Sequence, residues 1–308
     1  MATTHPTHSA LSALDSAPVW LNSEPLTAGA LQGRVVLVDI WTYSCVNWLR
    51  TLPYVRAWAD AYRDRGLVVV GVHSPEFGFE RDLGNVRRAV DELDVGYPVV
   101  LDNDFAIWRS FENRFWPAIY LVDQDGRLRF THFGEGNYEE TEHAIQRLLG
   151  VDEPTVRVDA GGRAQAADWD TIGSPETYVG YARGERRSAA PVGALGLNHW
   201  TLDGDWSVGE EAAVLDAAAG SIAYRFHARD LNVVLAPPAA DTAVRFTVRL
   251  DGQPPGDDHG VDVDESGAGV VSEPRMYQVV RQHDTVVPRT CEITFVGPGV
   301  RAYVFTFG

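Results

Sequence analysis

Lysine is absent from this 308-residue chain, so all 26 basic residues are arginines, and 43 aspartates and glutamates outnumber them. The net charge of −17 speaks against a nucleic-acid footprint, which needs clustered positive charge. It also disfavours anionic membrane surfaces, so neither nucleic acid nor membrane is expected as a partner. Cysteine occurs only twice, too seldom for a disulfide framework and in keeping with a reducing compartment. No apolar run approaches the ~20 residues that a membrane span requires. The first twenty residues have no basic stretch followed by an apolar one, so a secretory leader is not expected. These absences together predict a cytoplasmic globular protein, and its 45 % hydrophobic content is enough for a full core.

Residues 1–18 are polar and are expected to be disordered or loosely attached. Regular patterning begins with the apolar run Val35–Trp41, the mark of a strand buried on both faces. A helix is predicted from Cys45 to about Asp64, with Leu49, Leu52, Val55, Ala59 and Tyr62 on one face. Strand Leu67–His73, an amphipathic helix Glu80–Leu93, strand Tyr97–Leu101 and a short helix Phe105–Glu112 follow. Ala118–Val122 and Arg127–Phe133 form a hairpin across the turn at Asp123–Gly126. A last helix is capped by Asn137 and ends near Leu149. The order β-α-β-α-β-α-β-β-α describes an α/β domain over 19–150 whose sheet begins parallel and ends antiparallel. Residues 151–190 lose this rhythm and are expected to be a linker. From 191 to 308, short alternating runs separated by Gly, Pro and Asp clusters predict an all-β sandwich.

Cys45 opens a helix directly after a buried strand. The helix N-terminus offers unpaired N–H groups and a positive dipole end, which favour a nucleophilic thiolate; a small buried hydrophobe is the alternative. The surroundings resemble a thioredoxin active site: Asp39 stands six residues before the cysteine, Trp41 four before, Pro53 eight after, and Trp116-Pro117 precedes the hairpin. The resemblance implies a thioredoxin fold in which Pro117 is a cis-proline lying against the thiol. The segments WTYSCVNWLRTLPYVRAW, GVHSPEFGFE and NRFWPAIYLVDQDGRLR are similar to the thioredoxin-like part of DipZ-family proteins, relatives of TlpA and ResA. SPETYVGYARGER and the tail RAYVFTFG resemble the β-sandwich that follows it there, with a jelly-roll-like architecture akin to carbohydrate-binding modules. Trp48 stands where that family has its second cysteine. A dithiol reductase needs the second thiol to release its product, and Trp48 cannot supply it. Asp39, which the resemblance casts as a proton-transfer group, is then either catalytic or a structural carboxylate.

Strands ending on one sheet edge are expected to bring His73, Ser74 and Glu76 near Cys45, and the hairpin to bring His132 and Glu135. These residues either assist the thiol or hold loops. Trp41, Tyr43, Trp48 and Trp116 are expected to shape an apolar groove around the sulfur. Thr42, three residues before the cysteine, resembles half of a peroxiredoxin motif, although Val38 occupies the proline position; Arg114 is either a peroxide ligand or a surface arginine near the hairpin. Cys291 alternates with Ile293 and Phe295 and is expected in the core. Asp262, Asp264, Ser266 and Glu273 have calcium-loop spacing without helical flanks and are either a cation loop or an ordinary acidic turn, and Trp200, Trp206 and Tyr277 either stack on a carbohydrate or belong to the core. The function expected is a single-cysteine thiol oxidoreductase acting on a disulfide or other thiol-reactive substrate. It would hold no bound cofactor and would be resolved by an external low-molecular-weight thiol. A non-catalytic binding module and a thiol peroxidase are the alternatives.

Overall fold

The computed structural model describes residues 10–308. The chain folds as two compact units divided between Ala164 and Gln165, inside the stretch expected to be a linker.

The first unit contains strands β1 (Trp20–Leu21) and β2 (Val35–Trp41), helix α1 (Val46–Tyr62), β3 (Leu67–His73), α2 (Leu83–Glu92), β4 (Val99–Leu101), α3 (Ala106–Ser110), the hairpin β5 (Ala118–Val122) and β6 (Leu128–Phe133), and α4 (Tyr138–Leu149). They form one sheet of order β1-β4-β3-β2-β5-β6. β2 runs parallel to β3 and antiparallel to β5. All seven residues of β2 are buried, which is why its sequence is apolar on both faces rather than alternating. Val36, Val38 and Ile40 pack with Val70, Val72, Tyr120 and Phe111 on one face. The opposite face carries Asp39, Trp41 and His73, which are fully buried. This architecture is a thioredoxin-like fold.

Two expectations need correction here. Residues 10–16 form a 3-10 turn whose Leu11 and Leu14 join the sheet core, so order begins within the segment expected to be loose; residues 1–9 lie outside the described residues. Two leucines three apart suffice to cover the end of the sheet, a signal too short to stand out in a polar stretch. Helix α2 starts at Leu83 rather than Glu80. Asp82 accepts the Asn85 N–H at 2.9 Å and caps the helix, while Glu80 belongs to a separate 3-10 turn, Gly78–Arg81.

The second unit is a β-sandwich. Its strands are β7 (Thr177–Tyr178), β8 (Trp200–Asp203), β9 (Trp206–Val208), β10 (Ala213–Leu215), β11 (Ala219–Phe226), β12 (Asp230–Ala236), β13 (Val244–Leu250), β14 (Ala268–Val271), β15 (Arg275–Arg281), β16 (Arg289–Val296) and β17 (Arg301–Phe307). One sheet runs β15-β12-β17-β10-β9 with β7 beside β17, and the other β14-β13-β16-β11-β8. Leu231, Val233 and Phe305 of the first sheet share a core with Ile222, Phe246 and Ile293 of the second, as alternation along each strand requires. β7 lies within residues 151–190 and pairs with β17, so that stretch contributes to the sandwich.

Candidate active site

Cys45 is the N-cap residue of α1, at the helix end whose N–H groups and dipole stabilise negative charge. The turn before it is closed by the Cys45 N–H, which donates to Thr42 O at 3.2 Å. The thiol is half-buried and lies 3.9 Å from Trp116 O. The Trp116–Pro117 peptide is cis. Trp116 is held from two sides: its indole Nε1 donates to Ser74 O at 2.9 Å, and its ring packs on Trp108 at 4.3 Å. Ser74 Oγ in turn donates to Asp102 Oδ2, and Asp102 accepts the N–H groups of Ile107 and Trp108 at the start of α3. The chain end of β3, the cap of α3 and the proline loop are thereby joined behind the sulfur. Outside them, Phe115 and Phe133 pack with their rings tilted by 45° and centroids 4.9 Å apart, about half of each residue being exposed.

Beneath the thiol the side chains are large and wholly enclosed. Trp48 stacks on Trp41 with centroids 4.0 Å apart, and Trp48 Nε1 donates to Asp39 Oδ2 at 3.0 Å. Tyr97 OH donates to the same oxygen at 3.2 Å. Burial pushes the Asp39 carboxyl up from 3.8 to about 7, against the two hydrogen bonds that lower it. His73 packs edge-on to Trp41 and stacks on Tyr43; burial pushes it down from 6.5 to about 3, so the ring is neutral. Gly71 supplies the space for this packing, since a Cβ there would lie 2.9 Å from both Trp41 Nε1 and a carbon of the Tyr97 ring.

Of the residues expected at the site, Cys45, Trp116 and Pro117 come together. Trp41, Trp48 and His73 do not line a groove: all three are fully buried, Trp41 and His73 on the inward face of β2 and β3 and Trp48 on the first turn of α1, stacked on Trp41. Tyr43 is buried as well, at 4 % exposure. Glu135 is turned to Arg50 in a buried ion pair at 2.9 Å. Glu76 is half-buried and its N–H donates to Glu80; His132 is half-buried on β6 opposite Ile119. Cys291 lies in the sandwich core.

The calcium candidates do not converge. Asp262 pairs with Arg275, Asp264 accepts from Ser266 and Ala268 within its own turn, and no group of three potential metal ligands exists among the described residues. Trp200 and Tyr277 are buried in the sandwich core, so these two rings are not free to stack on a sugar, and the half-buried Trp206 packs against that core.

Sequence reasoning missed Glu80, which is fully buried. Its Oε1 accepts Ser44 Oγ at 2.6 Å, and its Oε2 accepts the N–H groups of Glu76 and Phe77 at 2.6 and 2.8 Å. The available signal was a carboxylate directly after the apolar Phe77 and Phe79, outweighed by its fit to a helix start.

The geometry agrees with comparisons to known proteins. The family model described as Redoxin matches residues 14–149, and that described as Thioredoxin like C-terminal domain matches 174–308. The thiol-disulfide oxidoreductase YkuV of Bacillus subtilis is 31 % identical over 134 residues, 44 % of this chain and 90 % of that protein. The chain belongs to the redoxin family. Protein DipZ of Mycobacterium tuberculosis is 33 % identical over 306 residues, covering 94 % of this chain. This redoxin spans 41 % of the DipZ length. NHL repeat-containing protein 2 of Bos taurus is 39 % identical over 124 residues, 39 % of this chain and 17 % of that protein. The N-terminal unit is thus a thioredoxin fold of the thiol-disulfide oxidoreductase type. Among the described residues, no helix is long and apolar enough to cross a membrane.

Proposed function

We propose that this redoxin is a monothiol thiol-disulfide oxidoreductase whose nucleophile is Cys45. The Cys45 thiolate attacks one sulfur of a substrate disulfide, forming a mixed disulfide and expelling the other sulfur as a thiolate, which takes up a proton. An external low-molecular-weight thiol then attacks the substrate sulfur of that mixed disulfide and regenerates Cys45. No net electrons enter the protein. The observation that carries this reading is Trp48: an indole tied to Asp39 at 3.0 Å fills the position from which a second thiol would attack. Trp116 O beside the sulfur and Pro117 next in the chain would position the substrate, with the exposed Phe115–Phe133 pair beside them. A peroxidase route fits less well, because Thr42 is fully buried and Arg114 is exposed.

The test is alkylation of the native protein near neutral pH, followed site by site by mass spectrometry, together with trapping of a mixed disulfide with a model disulfide. Rapid modification of Cys45 and a trapped adduct that a small thiol releases support the proposal. A Cys45 that labels only after unfolding overturns it and leaves a thioredoxin-shaped binding module.

A further inference from the structure

Glu80 lies at the meeting point of two loops that flank the thiol. It is a carboxylate with no exposed surface, and such a group is tolerated only when its lone pairs are filled. Three donors fill them here. Ser44, which donates to Oε1, is the residue immediately before Cys45. Glu76 and Phe77, whose N–H groups donate to Oε2, belong to the loop that follows β3. That loop begins at Ser74, whose carbonyl holds the Trp116 indole, and Trp116 O faces the sulfur. One carboxylate therefore bridges the turn that carries Cys45 and the loop that carries its neighbour.

We propose that Glu80 is a positioning residue for the Cys45 thiol, fixing the cysteine turn through the Ser44 hydroxyl and the adjoining loop through two backbone N–H groups; the proposal rests on Cys45 acting as the nucleophile. Glu80 does not touch the substrate. It sets where the sulfur sits, and misplacement of a reacting atom by a fraction of an ångström slows attack. The bridge also responds to protonation. Burial, aided by the nearby Glu76 carboxylate, pushes the Glu80 carboxyl up from 4.5 to about 7. The ionised form accepts charge-assisted hydrogen bonds, and the neutral form holds the same donors more weakly. Of the other charged groups nearby, Arg81 reaches to Asn103 O and Asp82 caps α2, so Glu76 is the charge that acts on Glu80.

The test is the pH profile of iodoacetamide alkylation of Cys45 in the full chain, from about pH 5 to about pH 9. It is read site by site in wild type, Glu80→Gln, Ser44→Ala and Ser44→Thr, each checked for folding by thermal unfolding. Wild type is expected to show a step near neutrality besides the one from the thiol. Glu80→Gln removes that step and slows alkylation about tenfold at the alkaline plateau, since an amide oxygen cannot serve both loops. Ser44→Ala loses the step as well, and Ser44→Thr, which keeps the hydroxyl, retains it. If Cys45 reacts but the Glu80→Gln and Ser44→Ala profiles superimpose on wild type, Glu80 is merely structural and the proposal fails while the monothiol reading stands. If wild-type Cys45 does not react until unfolding, both fall.

Discussion

The indole of Trp48 is a hydrogen-bond donor to the buried carboxyl of Asp39, at 3.0 Å. A cysteine at this position would leave that carboxylate oxygen to Tyr97 alone. The indole does two things at once: it removes the second thiol, and it occupies the acid that the thioredoxin resemblance assigns to serving it.

Trp48→Cys restores the spacing of a dithiol site. On oxidation the variant is expected to form a disulfide between Cys45 and the introduced thiol, and to reduce a model disulfide without an added small thiol. It also loses a fully buried ring stacked on Trp41, at a cost of about 3–5 kcal/mol. Thiol titration after oxidation and urea unfolding measure the two effects. A variant as stable as wild type would mean that the stacked pair contributes little.

Asp39 and pH are linked in a definite sense. Its folded value, about 7, is raised above the ordinary 3.8, so the native state holds a proton that the unfolded chain has released. Whatever stability this gives is complete below 3.8 and is lost as pH rises to about 7. Asp39→Asn is therefore expected to gain on wild type across this window, reaching on the order of 2–4 kcal/mol above it. Urea unfolding at stepped pH gives the difference directly; a constant difference would refute it.

His73 works in the opposite direction. Neither ring nitrogen has a hydrogen-bond partner, and the folded value of about 3 lies below the ordinary 6.5. Stability from this residue is present above 6.5 and lost as pH falls towards 3. His73→Phe keeps the ring contacts with Trp41 and Tyr43 and removes the unsatisfied nitrogens. It is expected to stabilise by about 1–2 kcal/mol at neutral pH and by more in acid. Destabilisation at neutral pH would point to a partner for the imidazole.

The two thiols should separate cleanly. Cys291 is 1 % exposed, and burial together with the Glu292 and Asp251 carboxylates pushes its thiol up. One equivalent of thiol reagent is expected to react with the native chain, at Cys45, and the second only on unfolding. Two fast equivalents would show that the sandwich opens at Cys291.

Arg50 and Glu135 form an ion pair with 2 % and 4 % of their side chains exposed. Glu135→Gln removes a carboxylate that the buried guanidinium holds at 2.9 Å, at a cost of about 3–5 kcal/mol, whereas Arg50→Met with Glu135→Leu costs less. Chemical unfolding of the single and double variants decides it; equal losses would show the pair to be unimportant.

The thioredoxin pattern was legible because its signals are local. β2 is apolar throughout, Cys45 follows it at once, and Trp116-Pro117 stands before an unmistakable hairpin turn. Depth was not legible. Trp41, Trp48 and His73 belong at the site in sequence, but the strands turn Trp41 and His73 inward and α1 lays Trp48 on Trp41, and sequence order alone does not say how far below the surface a side chain lies. Glu80 escaped notice for a related reason. Its partners are a hydroxyl 36 residues earlier and backbone N–H groups, which no residue pattern records. In the sandwich, short strands such as β9 and β10 carry too few residues for alternation to declare itself.

Gly71 leaves room for the buried aromatic pair of Trp41 and Trp48. A single methyl added there would press on Trp41 and Tyr97, the first stacked on Trp48 and the second bonded to Asp39. The empty space on β3 thus acts as a fulcrum: what can be placed in the helix above depends on what has been left out of the strand below.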